Sequence, residues 1–462
     1  MPSLASKKAE FFADLSEKNT QKAVSLKKMC YLCLSIVTFM QFKTSFLLAL
    51  LTCCPLAAKA STPHNDSLPH WGASLGVLPG RVVALDDYTK KWLHQNANLA
   101  LKAELHYADL PPDSSAFASD YNYPTLSIGL KYALNHGVVM HRYPDEAWGK
   151  AQEVPYDSHL GNSLTLYGIF ARPLLRTLHW ELDYSLGAGI GYNRSKYNPR
   201  NNIDNELIGS RWLIYFTAGI HGTYRFAADW GVKAGVEFYH HSNGALNRPN
   251  KGANVLAPML GITYMPYYGL LCDRTKNRVT ESFQKYWFLN LTAGLGGKTL
   301  LEEWQKTQFD TEIGWPDYRT DRFQLYASYS LKADVMRRYA RRWASGLGVD
   351  LYYGTYASRV KALDEAAGRR EKHSPLSLGI SAKHEVYYKN LSVNVALGWY
   401  LYRKMGYNAQ FNETPYYEYV GLRYNFAKWK GLGVGFNVKA HATKADVTEL
   451  VLSCPVVFST KK

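Results

Sequence analysis

The run Phe238-Tyr239-His240-His241-Ser242-Asn243-Gly244 closes a segment that starts at Asp229, and the chain returns through Pro249-Asn250-Lys251-Gly252-Ala253-Asn254 toward Tyr268. From Val232 to Ser242 the even positions read Val, Ala, Val, Phe, His, Ser, and the odd positions between them read Lys, Gly, Glu, Tyr, His. A period of two with one apolar parity predicts a β-strand. His240 and Ser242 fall on the apolar parity at its end, so a base and a nucleophile project the same way, about 7 Å apart at the backbone. Asn243, Gly244 and Asn247 make a loop, and residues 255–264 alternate again, which predicts a hairpin. A register that sets Asn254 opposite or diagonal to His240 puts its amide within cross-strand reach of the imidazole. That register would complete a Ser242-His240-Asn254 relay.

The same alternation recurs along the chain. Strands are expected near 72–79, 97–107, 122–134, 163–173, 177–191, 209–224, 229–242 and 255–268, then 285–297, 320–333, 343–356, 374–387, 391–402, 416–427, 432–441 and 446–458. Beyond residue 60 no segment reaches 18 consecutive apolar residues, so a membrane-spanning form must be an antiparallel β-barrel rather than helices. Sixteen strands fit one barrel or two eight-stranded halves. Short turns near 173–176, 227–228, 389–390 and 428–431 alternate with longer loops at 135–162, 192–208, 357–373 and 403–415, as periplasmic turns and external loops do. The connections at 108–121 and 269–284 would be long periplasmic ones. Aromatic residues make up 14% of the chain, and Tyr352-Tyr353, Tyr387-Tyr388 and Tyr416-Tyr417 fall at strand ends, where interfacial girdles lie.

The organisation read from this pattern is a leader at 1–60, a barrel half at 61–268, a connection at 269–284 and a second half at 285–462. Met29 to Ala60 holds Phe46-Leu47-Leu48-Ala49-Leu50-Leu51 and ends Ala58-Lys59-Ala60, the form of a signal peptide with its cleavage site. The net charge is +16, and the chain stays basic without the leader. For an exported chain, that charge suits anionic lipid headgroups or solvated loops rather than nucleic acid. Cys272 and Cys454 lie beyond the leader and are either one disulfide or two separate buried thiols. No zinc spacing and no phosphate-cradling glycine loop occurs, so no metal or cofactor is expected. Asn198 to Asn205 reads as an external loop whose amides, with Arg194, Lys196 and Arg200, suit contact with sugar or phosphate. Asp364, Glu365 and Glu371 with Arg369, Arg370 and Lys372 read as a solvated loop. Trp343 to Thr355 echoes Trp230 to Ser242 at an offset of 113, with Tyr353 and Thr355 in place of the His-Ser pair.

His240-x-Ser242-Asn243 followed by Asn250-x-Gly252 resembles the signature of the outer-membrane lipid A 3-O-deacylase family. The resemblance implies an esterase acting on lipid A or lipopolysaccharide in the outer membrane, with Ser242 as nucleophile and His240 as general base. It implies Asn250 as a side-chain donor to the oxyanion, helped by a nearby backbone N–H for which Gly244 is the candidate, and Asn243 as a supporting motif position. Asn254 departs from the pattern, because the family carries a glutamate there. An amide holds the imidazole tautomer but cannot stabilise the imidazolium. The alternative function is a barrel that binds or passes solutes, with the motif inactive.

Overall fold

The computed structural model describes residues 68–272 and 281–458. The leader and its cleavage site lie outside the described residues. The first barrel is built from β1 (Trp71–Val82), β2 (Leu93–Ala108), β3 (Thr125–Leu134), β6 (Ser163–Arg176), β7 (Trp180–Asn193), β8 (Trp212–Arg225), β9 (Trp230–Ser242) and β10 (Ala253–Tyr264). Two short strands, β4 (Val138–Met140) and β5 (Ser158–His159), extend from β2 within the predicted loop 135–162. Neighbours pair antiparallel in chain order, and β1 pairs with both β2 and β10, which closes the wall.

The second barrel closes in the same way, from β11 (Tyr286–Lys298), β12 (Tyr326–Ala340), β13 (Trp343–Gly354), β14 (His373–Tyr388), β15 (Leu391–Met405), β16 (Tyr416–Phe426), β17 (Leu432–His441) and β18 (Lys444–Val457). Two eight-stranded barrels, rather than one of sixteen strands, are therefore the architecture. The echo at offset 113 relates the seventh strand of one barrel to the third of the other, which is not the register of a duplicated barrel.

Alternation explains both faces of the wall. On β9 the even side chains Trp230, Val232, Val236 and Phe238 are exposed, while Glu237, Tyr239 and His241 point inward and are buried. An apolar exterior belt is what a lipid-facing wall requires, and among the described residues no helix is long and apolar enough to cross a membrane.

The interior is filled rather than open. Lys131 reaches Glu237 at 3.2 Å, His221 bridges Glu237 at 3.1 Å and Asp183 at 3.2 Å, and Lys102 contacts Glu104 at 3.1 Å and also Glu237. The cavity beside this network measures about 30 Å³, room for no more than a few water molecules. In the second barrel Lys383 joins Asp334 and Asp350, Lys332 joins Glu449, and Lys439 joins Asp446 at 2.8 Å.

Removing one partner from such a network leaves its counter-charge buried alone, which destabilises by roughly 3–5 kcal/mol. Glu237→Ala, which strands Lys131 and leaves Lys102 to Glu104 alone, is therefore expected to lower markedly the temperature at which the folded form is lost. A temperature series on unboiled detergent gels reads this directly, and an unchanged midpoint would show that the network adds nothing to the closed barrel.

Both ends of the barrels are tied together. At the end opposite Ser242, the Tyr121 hydroxyl donates to the Tyr387 carbonyl at 2.8 Å and Lys389 pairs with Asp109 at 2.7 Å. At the Ser242 end, Arg319 pairs with Asp204 at 2.9 Å and Arg142 donates to Gln308 at 2.8 Å.

One sequence expectation changes here, and one left open is resolved in favour of separate thiols. Asp364 is buried and bonded to His373 at 2.8 Å at the foot of a helix spanning Ala357–Ala366, so this loop is anchored rather than simply solvated. Cys272 and Cys454 are both free thiols, on the connection and the outer wall respectively, and, against expectation, neither is buried, since Cys454 takes the outward parity of its strand.

Candidate active site

The β9–β10 hairpin carries the site because its register is fixed by burial: a slip of one residue would turn Glu237 and Lys233 into the lipid. That register sets Asn254 directly opposite His240. His240 Nδ1 donates to Asn254 Oδ1 at 2.7 Å, the cross-strand contact expected from the hairpin. With Nδ1 carrying the proton, the neutral ring leaves Nε2 with its lone pair free to accept one. His240 is partly exposed on the outward face, and Ser242, two residues on, shares that parity and is 7% exposed. Among the described residues no hydrogen bond joins Ser242 to His240. Such bonds are often formed only with substrate in place.

The other wall of the imidazole is Gly252. Its φ of +81° belongs to the left-handed region, and a Cβ added there would stand 2.6 Å from His240 Cε1. Glycine therefore lets the returning strand lie against the ring and confine it between backbone and Asn254. The Asn-x-Gly spacing brought this residue into view, but the sequence did not reveal that it touches His240. Gly252→Ala should tilt the imidazole off Asn254 and lower kcat by about 10²-fold, the scale expected for a misplacement near 1 Å. A steady-state assay showing unchanged kcat would mean that the ring tolerates displacement.

The loop between the strands places the remaining candidates. Asn250 Oδ1 accepts from the Asn243 N–H at 2.9 Å, which fixes the Asn250 amide beside the residue after Ser242. Asn243 in turn donates through Nδ2 to the Asn247 carbonyl at 3.1 Å, so it braces the loop. Gly244 turns with φ +61°, and Ala245 follows with φ +70°.

The chain returns on a bed formed by residues 206–209. Lys251 N donates to Glu206 O at 3.1 Å, Gly252 N to Leu207 O at 2.8 Å and Asn247 Nδ2 to Gly209 O at 2.7 Å. Burial pushes the Glu206 carboxyl above its usual range, against the pull of Lys251, Arg142 and Arg319. In the loop at 198–205, Asn202 spends its amide on His159, Ser195 and Lys196, and Lys196 pairs with Asp321 at 3.0 Å. Those groups hold the loop together instead of facing a ligand.

His241 and the second-barrel cluster Glu413, His441 and Asp446 lie apart from this face. His241 points inward to Thr165 at 2.9 Å. The two carboxylates of the cluster are already met by Arg403, Lys298 and Lys439, which leaves little negative charge for a cation.

Chemically, the face offers a hydroxyl, an imidazole in a defined tautomer and an amide beside it, at the outer end of a lipid-facing strand. Residues 121–263 match the family model described as lipid A 3-O-deacylase (PagL), and residues 287–454 match the model of the acyloxyacyl hydrolase C-terminal domain. Together they span most of both barrels. No curated protein sequence matches this chain.

Among solved structures, the outer membrane enzyme PagL is 15% identical, covering 42% of this chain and 99% of its own, with a TM-score of 0.24. An outer membrane protein of Acinetobacter baumannii is 8% identical, covering 84% and 98%, with a TM-score of 0.13. The β domain of the Bordetella autotransporter BrkA is 8% identical, covering 85% and 100%, with a TM-score of 0.19.

Proposed function

Because this chain belongs to the lipid A 3-O-deacylase family of outer-membrane hydrolases, we propose that it removes an ester-linked acyl chain from lipid A by Ser-His acyl transfer. The observation that carries the mechanism is the His240 Nδ1–Asn254 Oδ1 bond of 2.7 Å, which readies Nε2 as a base on the same outward face as Ser242.

In this reading Ser242 Oγ attacks the ester carbonyl carbon as His240 Nε2 takes its proton. The Asn250 side-chain amide and the Gly244 N–H donate to the oxyanion that develops. Collapse of the tetrahedral intermediate breaks the ester C–O bond, and His240 returns the proton to the departing sugar oxygen. Water, deprotonated by His240, then releases the fatty acid from Ser242. Asn254 keeps the proton on Nδ1 throughout, but it leaves the transient imidazolium without a counter-anion, so the chemical step is slow for such a site. The outward position suits a substrate that lies in the membrane beside the wall. Passage of solutes is disfavoured by interiors crossed by ion pairs.

Mass spectrometry of lipid A from Gram-negative cells with and without the protein tests the reading. The expected result is a species lighter by one acyl chain. Identical spectra, with no release of fatty acid from other acylated lipids, would overturn it.

A further inference from the structure

The loop that follows Ser242 obtains part of its shape from the other barrel. Gly244 and Ala245 are consecutive left-handed residues, and for alanine that conformation is uphill by roughly 1–2 kcal/mol unless its surroundings impose it. The surroundings belong to the second barrel. Thr448 Oγ1 donates to the Gly244 carbonyl at 2.7 Å, and Thr299 donates to the Ala245 carbonyl through both its N–H at 2.9 Å and its Oγ1 at 3.0 Å. In return Arg248 Nη2 donates to the Thr299 carbonyl at 3.2 Å.

The approach is close enough that a Cβ at position 244 would lie 2.1 Å from Thr448 Oγ1, so only glycine fits there. Thr448 stands on the outward parity of β18 next to Leu450 and Leu452, which are exposed apolar residues of the wall. A hydroxyl on that belt has a use only at a contact.

We infer that Thr448 and Thr299 are positioning residues for the hydrolysis. They hold the Asn243-Gly244 turn so that the Gly244 N–H and the Asn250 side-chain amide face the carbonyl oxygen attacked by Ser242. The inference rests on the Ser242-His240 reading, and it gives the second barrel a part in catalysis without placing any of its side chains on the substrate.

The test uses the full chain in detergent with lipid A as substrate. Thr448→Val keeps the shape and removes the donor. It should lower kcat by roughly 10-fold with KM within twofold, since an oxyanion donor is displaced while the lipid contacts stay. Thr448→Ser restores the hydroxyl and should recover most of the rate. Thr299→Ala, which keeps the backbone bond, should fall between them. The rate at which a lipophilic phosphonate probe labels Ser242 should follow the same order, with the folded-band midpoint on unboiled gels unchanged.

Thr448→Val at wild-type kcat and labelling rate would overturn the inference, as would a loss not recovered by Thr448→Ser. If Ser242→Ala abolishes hydrolysis in that same experiment, the deacylase reading survives this failure. If Ser242→Ala leaves hydrolysis intact, the Ser-His acyl transfer falls and this inference falls with it.

Discussion

Under the proposed Ser-His acyl transfer, Ser242→Ala is expected to lower lipid A deacylation by at least about 10⁴-fold and leave the barrel folded, because loss of the proposed nucleophile leaves only what the oxyanion donors and binding supply. The substitution removes one oxygen from a strand end where Ser242 makes no hydrogen bond to His240, so folding should be unaffected and the loss should reside in kcat. Single-turnover release of fatty acid from purified lipid A measures the effect, with the midpoint of the folded band as control. A variant retaining more than about one tenth of the rate would show that the hydrolysis does not pass through this hydroxyl. His240 would then act on water instead.

Asn254→Asp should do the reverse and raise the rate, by roughly 10- to 10⁴-fold at alkaline pH, the inverse of what replacing a triad Asp with Asn does in a serine protease. Aspartate is isosteric with asparagine, so a carboxylate oxygen would take the place of Oδ1 at 2.7 Å from His240 Nδ1 without moving the hairpin. The anion would stabilise the imidazolium as Ser242 loses its proton, a contribution the amide cannot make. Asn254→Glu carries the family's residue but is one methylene longer, and it must fold back to reach the ring that Gly252 confines. Its gain should be smaller unless the strand shifts. Both carboxylates stand at the membrane edge, where desolvation disfavours ionisation, so the gain should grow as pH rises. If both variants fold and neither changes a Ser242-dependent rate over that range, Asn254 is not the third member of the relay.

The strands were legible because each alternates strictly between lipid and a polar interior, a signal that survives in fragments as short as Val232 to Ser242. Parity alone also put His240 and Ser242 on the outward face. The hairpin allowed Asn254 to be set against His240, since loop and strands are contiguous in the chain. Closure was not legible in this way. Whether β10 pairs with β1 or with β11 is decided by contacts such as Ala73 opposite Tyr264, far apart in sequence and drawn from residues common to every wall strand. The role of Gly252 stayed hidden because its left-handed backbone and its approach to His240 are three-dimensional facts. Thr448 was silent for the same reason, being a lone hydroxyl 204 residues from the carbonyl it holds. The Asn198 to Asn205 loop reads as ligand-facing from composition, but composition does not show that Asn202 is consumed by its own neighbours.

The separate closure of the two walls has a consequence in time. The first barrel holds all of its pairing partners between β1 and β10, so its closure requires no strand of the second wall. The turn after Ser242 reaches its final partners only when β18 has arrived to close the second wall against β11. A chain with only its first wall closed would present Ser242 to the surrounding lipids without Thr448 and Thr299 to hold the turn that follows it. Completion of the second wall would then add the roughly 10-fold in rate expected of the Thr448 contact rather than create the activity.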